Sequence, residues 1–219
     1  MGSDSFSLLW MVNTDCELLE TLRMLKLYMS GRQVDPLNLR SIDLDIRDIA
    51  HNLSMLCRYT GSFPFHYSVA QHSILVSQMM ADVHNDPQAA LAGLLHDAAE
   101  YVFGDVNYHL KKLPELAEYN RREHEASYFI ASHFGVPSAW LDCVKPFDRQ
   151  AAHLEMDLRD GKSIKYLDYE IIPIPQSVVY HRFLSDFERL TGTIVDRFPS
   201  HSYPFLLLRQ RFVRENTPE

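Results

Sequence analysis

The order of apolar and polar residues along the chain predicts helices almost throughout. Apolar residues recur every three or four positions, the spacing that puts them on one buried helix face. The predicted helices span residues 15–30, 45–59, 67–84, 87–103, 116–134, a stretch from Phe147 onward, and 178–198. Strand patterns are few, and they allow one short hairpin near 163–174. We therefore predict an all-α fold of roughly seven helices.

Residues at the ends of these segments support the boundaries. Ser68 stands where a helix N-cap is needed, Pro87 is suited to a first helical position, and Gly104 is suited to follow a helix. The stretch 105–114 carries no such periodicity and is predicted to be a loop.

Composition narrows the class of protein. The chain has 219 residues, of which 46% are hydrophobic and 23% charged, which fits one globular domain over residues 1–219. A formal net charge of -8 argues against a protein that binds nucleic-acid polymers. The three Cys residues form no CxxC pair, and no apolar run is long enough to span a membrane. We expect a cytoplasmic protein without disulfides.

One predicted core helix carries ionisable residues. The stretch "ALAGLLHDAAEYVFGDV" at 90–106 places His96, Asp97 and Glu100 among small and apolar residues. An unpaired carboxylate buried there costs several kcal/mol, whereas a divalent cation removes that cost by binding carboxylate oxygen and imidazole nitrogen. A His-Asp pair also occurs often by chance, with local hydrogen bonds as its only role.

Two residues elsewhere favour the metal interpretation. His72 lies within another apolar helix 24 residues before His96, and Asp148 follows Asp97 by 51 residues at the predicted start of a later helix. Glu100 shares one helix face with His96 and Asp97. Two His and two Asp from three helices make a mixed nitrogen and oxygen site for one divalent ion, with Co, Mn, Zn, Ni, Fe or Mg all suitable.

The ordered set "YSVAQHS…LLHDAAE…GD…LK…D" resembles the HD-domain phosphohydrolases. The resemblance is to the branch that contains 5'-deoxynucleotidases and phage dATP triphosphohydrolases, and it covers about residues 28–160. It implies an all-α HD domain, with residues 161–219 as a C-terminal helical extension. It also implies that relatives form dimers or larger rings, so we expect a homo-oligomer in the cytoplasm, or in the host cytoplasm if the gene is a phage gene.

The resemblance implies a role for each matching residue. His72, His96, Asp97 and Asp148 match the metal ligands, and Glu100 and Asp105 match acidic residues near the attacking water. The substrate side is matched by Arg58 and Lys111 for the phosphate, and by Tyr59 for the nucleotide. From the residues alone, Asp105 is equally consistent with a turn carboxylate. A surface position for Arg58, and a hydrogen bond to His96 as the role of Glu100, are the less favoured alternatives for those residues.

The sequence departs from the family pattern in two places. Ser62 stands where many relatives have a His, with His66 four residues on, and Tyr108 and His109 replace a Pro that usually precedes the Lys. The expected activity is metal-dependent hydrolysis of a deoxynucleotide at the 5' phosphoester, with dATP the favoured substrate and a 5'-deoxynucleotidase acting on dNMPs the alternative. A regulatory module with an inactive site, and a two-metal cyclic-nucleotide phosphodiesterase, fit less well.

Overall fold

Helices account for nearly all regular structure in the computed structural model, which describes residues 26–161 and 171–198. The predicted all-α class is confirmed. The helices are α1 (Ile46–Met55), α2 (Val69–His84), α3 (Pro87–Leu95), α4 (Glu100–Phe103), α5 (Tyr108–Lys111), α6 (Ala117–His133), α7 (Ser138–Arg159) and α8 (Gln176–Thr191). Within the described ranges, no helix combines the length and hydropathy needed to cross a bilayer.

Two helices form the centre of the domain, because α2 and α3 make the most extensive contact in the molecule. The Ser68 hydroxyl caps α2 by accepting from the Gln71 N–H, as predicted, and Asn85 ends it in a left-handed conformation. Pro87 occupies the first turn of α3, and the preceding Asp86 caps that helix. Helices α1, α7 and α8 pack around the pair, so α8 belongs to the same core.

A glycine allows α2 and α3 to approach so closely. A Cβ placed on Gly93 would lie 2.8 Å from Ser77 Cα and 2.9 Å from Ser77 N, closer than real Cβ atoms come to backbone. The Ser77 hydroxyl donates to Ala90 O across the same contact at 2.7 Å. Backbone therefore packs on backbone at the point from which both His72 and His96 are positioned.

The predicted helix 87–103 is broken. Residues 96–99 form turns between α3 and α4, with backbone hydrogen bonds from Ala98 N to Leu95 O and from Glu100 N to Asp97 O. The His96 ring hydrogen-bonds to Gly93 O. In a continuing α-helix, that carbonyl would accept from a backbone N–H instead. The tighter turn still carries His96, Asp97 and Glu100 to one region.

Several other segments and boundaries also differ from the prediction. Residues 26–30 of the first predicted helix form a strand and a turn, pairing Lys26–Leu27 with Gln33–Val34, and the remainder of that helix lies outside the described residues. The proposed hairpin near 163–174 lies largely outside them too, and 171–174 is not a strand. The helix expected from Phe147 begins at Ser138, so Asp148 lies mid-helix and Pro146 inside it.

The remaining two differences concern short segments. The predicted loop 105–114 contains α5, a single turn that Asn107 caps through its side-chain oxygen. The last helix ends at Thr191 rather than near residue 198, because Gly192 adopts the left-handed conformation that terminates it. Neither difference changes the class of the fold.

Candidate metal centre and active site

Three side chains from three segments converge at the end of the α2–α3 pair. One donor atom from each of His72, His96 and Asp148 lies within 4.8 Å of the other two. His72 Nε2 is 3.1 Å from Asp148 Oδ1, and the imidazole rings are 5.2 Å apart at their centroids. Asp97 Oδ2 borders the cluster at 3.1 Å from His96 Nε2 and 3.7 Å from His72 Nε2. All four predicted ligands are therefore brought together.

The His96 ring is oriented by backbone. Its Nδ1 lies 2.8 Å from Gly93 O, a carbonyl that can only accept, so Nδ1 carries the proton of the neutral ring. This leaves a lone pair on Nε2. That atom is buried and has no hydrogen-bond partner among the described residues, although Asp97 Oδ2 is close. A buried imidazole lone pair aimed at two carboxylates suits a cation.

His72 is oriented by a carboxylate. Its Nδ1 donates to Glu155 Oε1 at 2.6 Å, so Nε2 faces Asp148 and Asp97. Burial by itself lowers the pKa of His72, as does the Arg58 charge, but Glu155 and Asp148 outweigh both and raise that pKa to about 9. A carboxylate behind a ligating imidazole fixes its ring and raises its basicity.

Glu155 contacts the candidate site and was not predicted from the sequence. It is fully buried on α7, two turns after Asp148, and accepts from the Tyr67 and Tyr59 hydroxyls at 2.8 and 2.6 Å. Burial by itself raises the pKa of Glu155, but the charges of His72 and Arg58 outweigh it and lower that pKa to about 2. The seven-residue spacing on one helix was the available signal.

Arg58 and Tyr59 enter the site through a folded-back loop. Arg58 N donates to Tyr67 O at 2.9 Å, which returns the chain beside the start of α2. The guanidinium lies 3.5 Å from Asp97 Oδ2 through Nη1 and 3.3 Å from Glu155 Oε2 through Nε. Tyr59 and Thr60 both adopt left-handed backbone, with φ of 56° and 51°, which costs about 1–3 kcal/mol each. Such strain occurs typically at functional sites.

Glu100 and Asp105 form an acidic pair beside the cluster. Glu100 is buried, and its Oε2 has no hydrogen-bond partner among the described residues. Burial, followed by the charges of Asp97 and Asp105, raises the pKa of Glu100 well above its usual range. Burial also raises the pKa of Asp105, and it outweighs the charges of Arg58 and Lys111, which lower that pKa. The charge of Asp97, a predicted ligand, acts on both carboxyls.

A cavity of about 250 Å³ opens beside the cluster. His96, Asp97, Glu100 and Lys111 form one wall. The other wall is one face of α6, with side chains at successive helical turns: Asn120, Glu123, His124 and Ser127. Lys111 Nζ lies 2.8 Å from Glu123 Oε1 and 3.7 Å from Glu100 Oε1, so the predicted phosphate cation reaches the cavity. The α6 wall was not among the predicted site residues.

The two departures from the expected pattern lie apart from the cluster. Ser62 is exposed and donates to Tyr59 O at 2.7 Å, which helps to close the left-handed turn. His66 Nε2 lies 3.1 Å from Ser54 O and so does not take the place of the missing His. Tyr108 and His109 are exposed on α5.

Comparison with known proteins agrees with this geometry. The family described as "HD domain" matches residues 69–181, a range that includes His72, the His96–Asp97 dipeptide and Asp148. The chain belongs to the HD domain family. Membership points to metal-dependent hydrolase chemistry in general, and the His72–His96–Asp148 cluster is compatible with a divalent metal.

Two curated relatives of the HD domain protein are similar over most of their length. The uncharacterized protein YfdR of Escherichia coli is 31% identical over 159 residues, covering 68% of this chain and 85% of the relative. An uncharacterized protein of Rhodobacter capsulatus is 43% identical over 143 residues, covering 62% of this chain and 72% of the relative. Neither name states an activity, so the substrate of this HD domain has to be argued from the site.

Proposed function

We propose that this HD domain hydrolyses deoxynucleotides at the 5' phosphoester with one divalent cation, and that its substrate is a dNTP, dATP in first place. The products are then the deoxynucleoside and triphosphate. The observation that carries the proposal is the cluster of His72, His96 and Asp148 beside buried Glu100, whose Oε2 has no hydrogen-bond partner among the described residues. The choice of dATP rests on the resemblance to the phage enzymes and on the 51-residue spacing of Asp97 and Asp148.

His72, His96, Asp97 and Asp148 would hold the cation. When bound, it supplies Lewis-acid chemistry by lowering the pKa of water and neutralising phosphate charge. The residues of the chain do the rest. Glu100 orients the attacking water and accepts its proton. Burial and the charges of Asp97 and Asp105 raise the pKa of Glu100 above its usual range, which makes this carboxylate a stronger base. The oxygen of that water bonds to phosphorus as the bond to the 5' oxygen breaks, and the proton passes to the leaving oxygen.

Two cations complement the charge of the phosphate. Arg58 lies beside Asp97, and Lys111 lies beside Glu100, so the two approach the reacting centre from different sides. Negative charge that develops on the phosphate oxygens is stabilised by fixed cations, since they need no reorganisation when the bond breaks. The charge of Asp105 raises the pKa of Glu100 and so helps that carboxyl to hold the proton.

A further basic group supports a triphosphate. Lys112 Nζ lies 4.1 Å from the centroid of the Tyr108 ring. The hydrogen bond from Lys112 and the charge of Lys112 lower the pKa of Tyr108. The charges of Arg149 and Lys145 lower it further by smaller amounts. Arg149 directly follows Asp148 in the chain. In a protein of net charge -8, three cations gathered around Tyr108, one of them next to Asp148 in the chain, favour the outer phosphates of a dNTP.

The size of the cavity favours the alternative substrate. A volume of about 250 Å³ lies below the range of about 300–1,000 Å³ typical of small-molecule sites. A dNMP is smaller than a dNTP and needs fewer cations. The 5'-deoxynucleotidase reaction would use the same residues and the same bond cleavage, with orthophosphate as the second product.

The products decide between the two reactions. We would strip the protein with a chelator, restore Co, Mn or Mg, incubate it with each dNTP and each dNMP, and resolve the products. Triphosphate and deoxynucleoside support the proposal, while orthophosphate released from dNMPs alone supports the alternative. An Arg149→Gln variant should raise KM for the dNTP and leave KM for a dNMP unchanged. Hydrolysis of no nucleotide, with metal content unchanged in Asp97→Ala, would refute the site assignment.

A further inference from the structure

One carboxylate connects the metal cluster to the turn that carries Arg58. The two oxygens of Glu155 face different partners. Oε1 accepts from His72 Nδ1 at 2.6 Å and from the Tyr67 hydroxyl at 2.8 Å. Oε2 accepts from the Tyr59 hydroxyl at 2.6 Å and from Arg58 Nε at 3.3 Å. Glu155 is fully buried, so these four donors replace water completely.

We propose that Glu155 is a positioning residue that couples metal binding at His72 to phosphate binding at Arg58. It touches neither the metal nor the substrate. Through Oε1 it holds the His72 ring with Nε2 toward the cluster, and through Oε2 it holds the Arg58–Tyr59 turn. A shift of the carboxylate therefore disturbs both sites together. The inference rests on the proposed function only in that the substrate carries a phosphate.

The backbone of the turn explains why it needs this support. Tyr59 and Thr60 are both left-handed, a conformation that a β-branched residue such as Thr60 rarely adopts. The turn is closed by Ser62, whose N–H and hydroxyl both donate to Tyr59 O. The Tyr59 side chain reaches inward to Glu155 Oε2. Without that acceptor, the turn loses its link to α7, and the Arg58 guanidinium loses the partner that aims it at Asp97.

The proposed coupling must act in both directions. If a bound metal fixes His72 and thereby Glu155, the Arg58 turn is ordered before phosphate arrives, and bound phosphate likewise favours the metal-binding arrangement. Reciprocity of this kind is a thermodynamic requirement for two linked sites. The same carboxylate also fixes the His72 tautomer. An amide at residue 155 can donate to Nδ1 and so move the ring proton to Nε2, the atom that faces the cluster.

The experiment measures binding as well as activity. We would compare Glu155→Gln with wild type in the full chain, with Glu188→Gln as the matched control. Glu188 lies on α8 and pairs with Arg197, outside the cluster. Isothermal titration gives the Kd for Co²⁺, and then the Kd for inorganic phosphate with the Co²⁺-loaded protein. The visible spectrum of bound Co²⁺ reports its ligand geometry independently of any hydrolysis.

We expect Glu155→Gln to raise the Co²⁺ Kd about 10–100-fold, the usual effect of losing a carboxylate behind a ligating His. The phosphate Kd at saturating Co²⁺ should rise about fivefold or more, and the Co²⁺ spectrum should change. Glu188→Gln should leave all three as in wild type. A role in folding alone would lower the melting temperature without changing the spectrum or either Kd of the folded fraction.

Two milder variants keep the test decisive if Glu155→Gln does not fold. Tyr67→Phe removes a partner of Oε1 and should weaken Co²⁺ more than phosphate, whereas Tyr59→Phe acts through Oε2 and should do the reverse. Folded Glu155→Gln with both Kd values within twofold of wild type overturns the inference, and so does a change in Co²⁺ affinity alone. If wild type hydrolyses no nucleotide but shows these effects, the proposed function fails and the coupling stands.

Discussion

The close contact between α2 and α3 makes Gly93→Ala a sensitive test of how the site is built. The new Cβ would lie 2.8 Å from Ser77 Cα, and ordinary contact begins at 3.4 Å, so the helices must separate by about 0.6 Å. Overpacking of this kind costs about 1–3 kcal/mol, and the better helix propensity of Ala returns about 1 kcal/mol. We expect a net loss of up to about 2 kcal/mol in unfolding free energy, which lowers the Tm by up to about 8 °C.

The same displacement should reach the metal ligands. His72 lies on α2 and His96 takes its orientation from Gly93 O, so the distance between the two imidazoles depends on this contact. A misplacement of functional groups by about 1 Å can lower the reaction rate about 100-fold. For the smaller displacement here, we expect the Co²⁺ Kd to rise about tenfold. Calorimetric melting and Co²⁺ titration of the same sample measure the two effects.

A second glycine provides the control. Gly161 is left-handed with φ of 74°, and a Cβ there meets nothing within 4 Å. Gly161→Ala should therefore lower the Tm through backbone strain and leave the Co²⁺ Kd unchanged. The reasoning is refuted if Gly93→Ala matches wild type in both Tm and Co²⁺ Kd, or if Gly161→Ala weakens Co²⁺ to the same extent.

Three further outcomes are expected. Glu100→Gln should lower kcat about 100-fold or more with Co²⁺ content unchanged, since it removes the proton acceptor and no ligand; an unchanged kcat would exclude Glu100 as the base. Lys111→Met should raise KM more than it lowers kcat, and an unaltered KM would place phosphate elsewhere. The raised His72 pKa stabilises the metal-free protein below pH 6.5, and this stability is lost as pH rises through about 9. The Co²⁺ Kd should therefore fall across that window as the proton leaves, and a flat pH profile of Co²⁺ titrations would contradict this.

The sequence predicted the cluster better than the segments that carry it. His72, His96, Asp97 and Asp148 were identified because ionisable side chains in apolar helices require compensation, and the structure brings all four together. Helical periodicity also placed α1, α2 and α6 to within a few residues, apart from an overrun at the end of α1. The spacing of apolar residues within each segment is enough to predict such helices, without knowledge of tertiary contacts.

The errors arise where tertiary contacts outweigh local preference. The helix expected from Phe147 begins earlier, because α7 continues through Pro146, and Asp148 lies in the middle of that helix. The break after α3 follows from the His96 ring taking Gly93 O, which no propensity encodes. The sequence did not distinguish Glu155 from an ordinary helical glutamate. Its hydrogen-bond partners Tyr67 and His72 lie more than 80 residues away in the chain.

The solvent exposure of the four ligand side chains is graded, and this has a consequence for metal exchange. His72 is fully enclosed, His96 and Asp97 are progressively more open, and Asp148 is 39% exposed. A divalent ion would therefore reach the site past Asp148, the most exposed of the four side chains, with His72 the most enclosed. The residence time of the ion would then depend on how fast it dissociates from Asp148. Exchange of the bound ion for an isotope in solution should be slow when substrate covers that carboxylate.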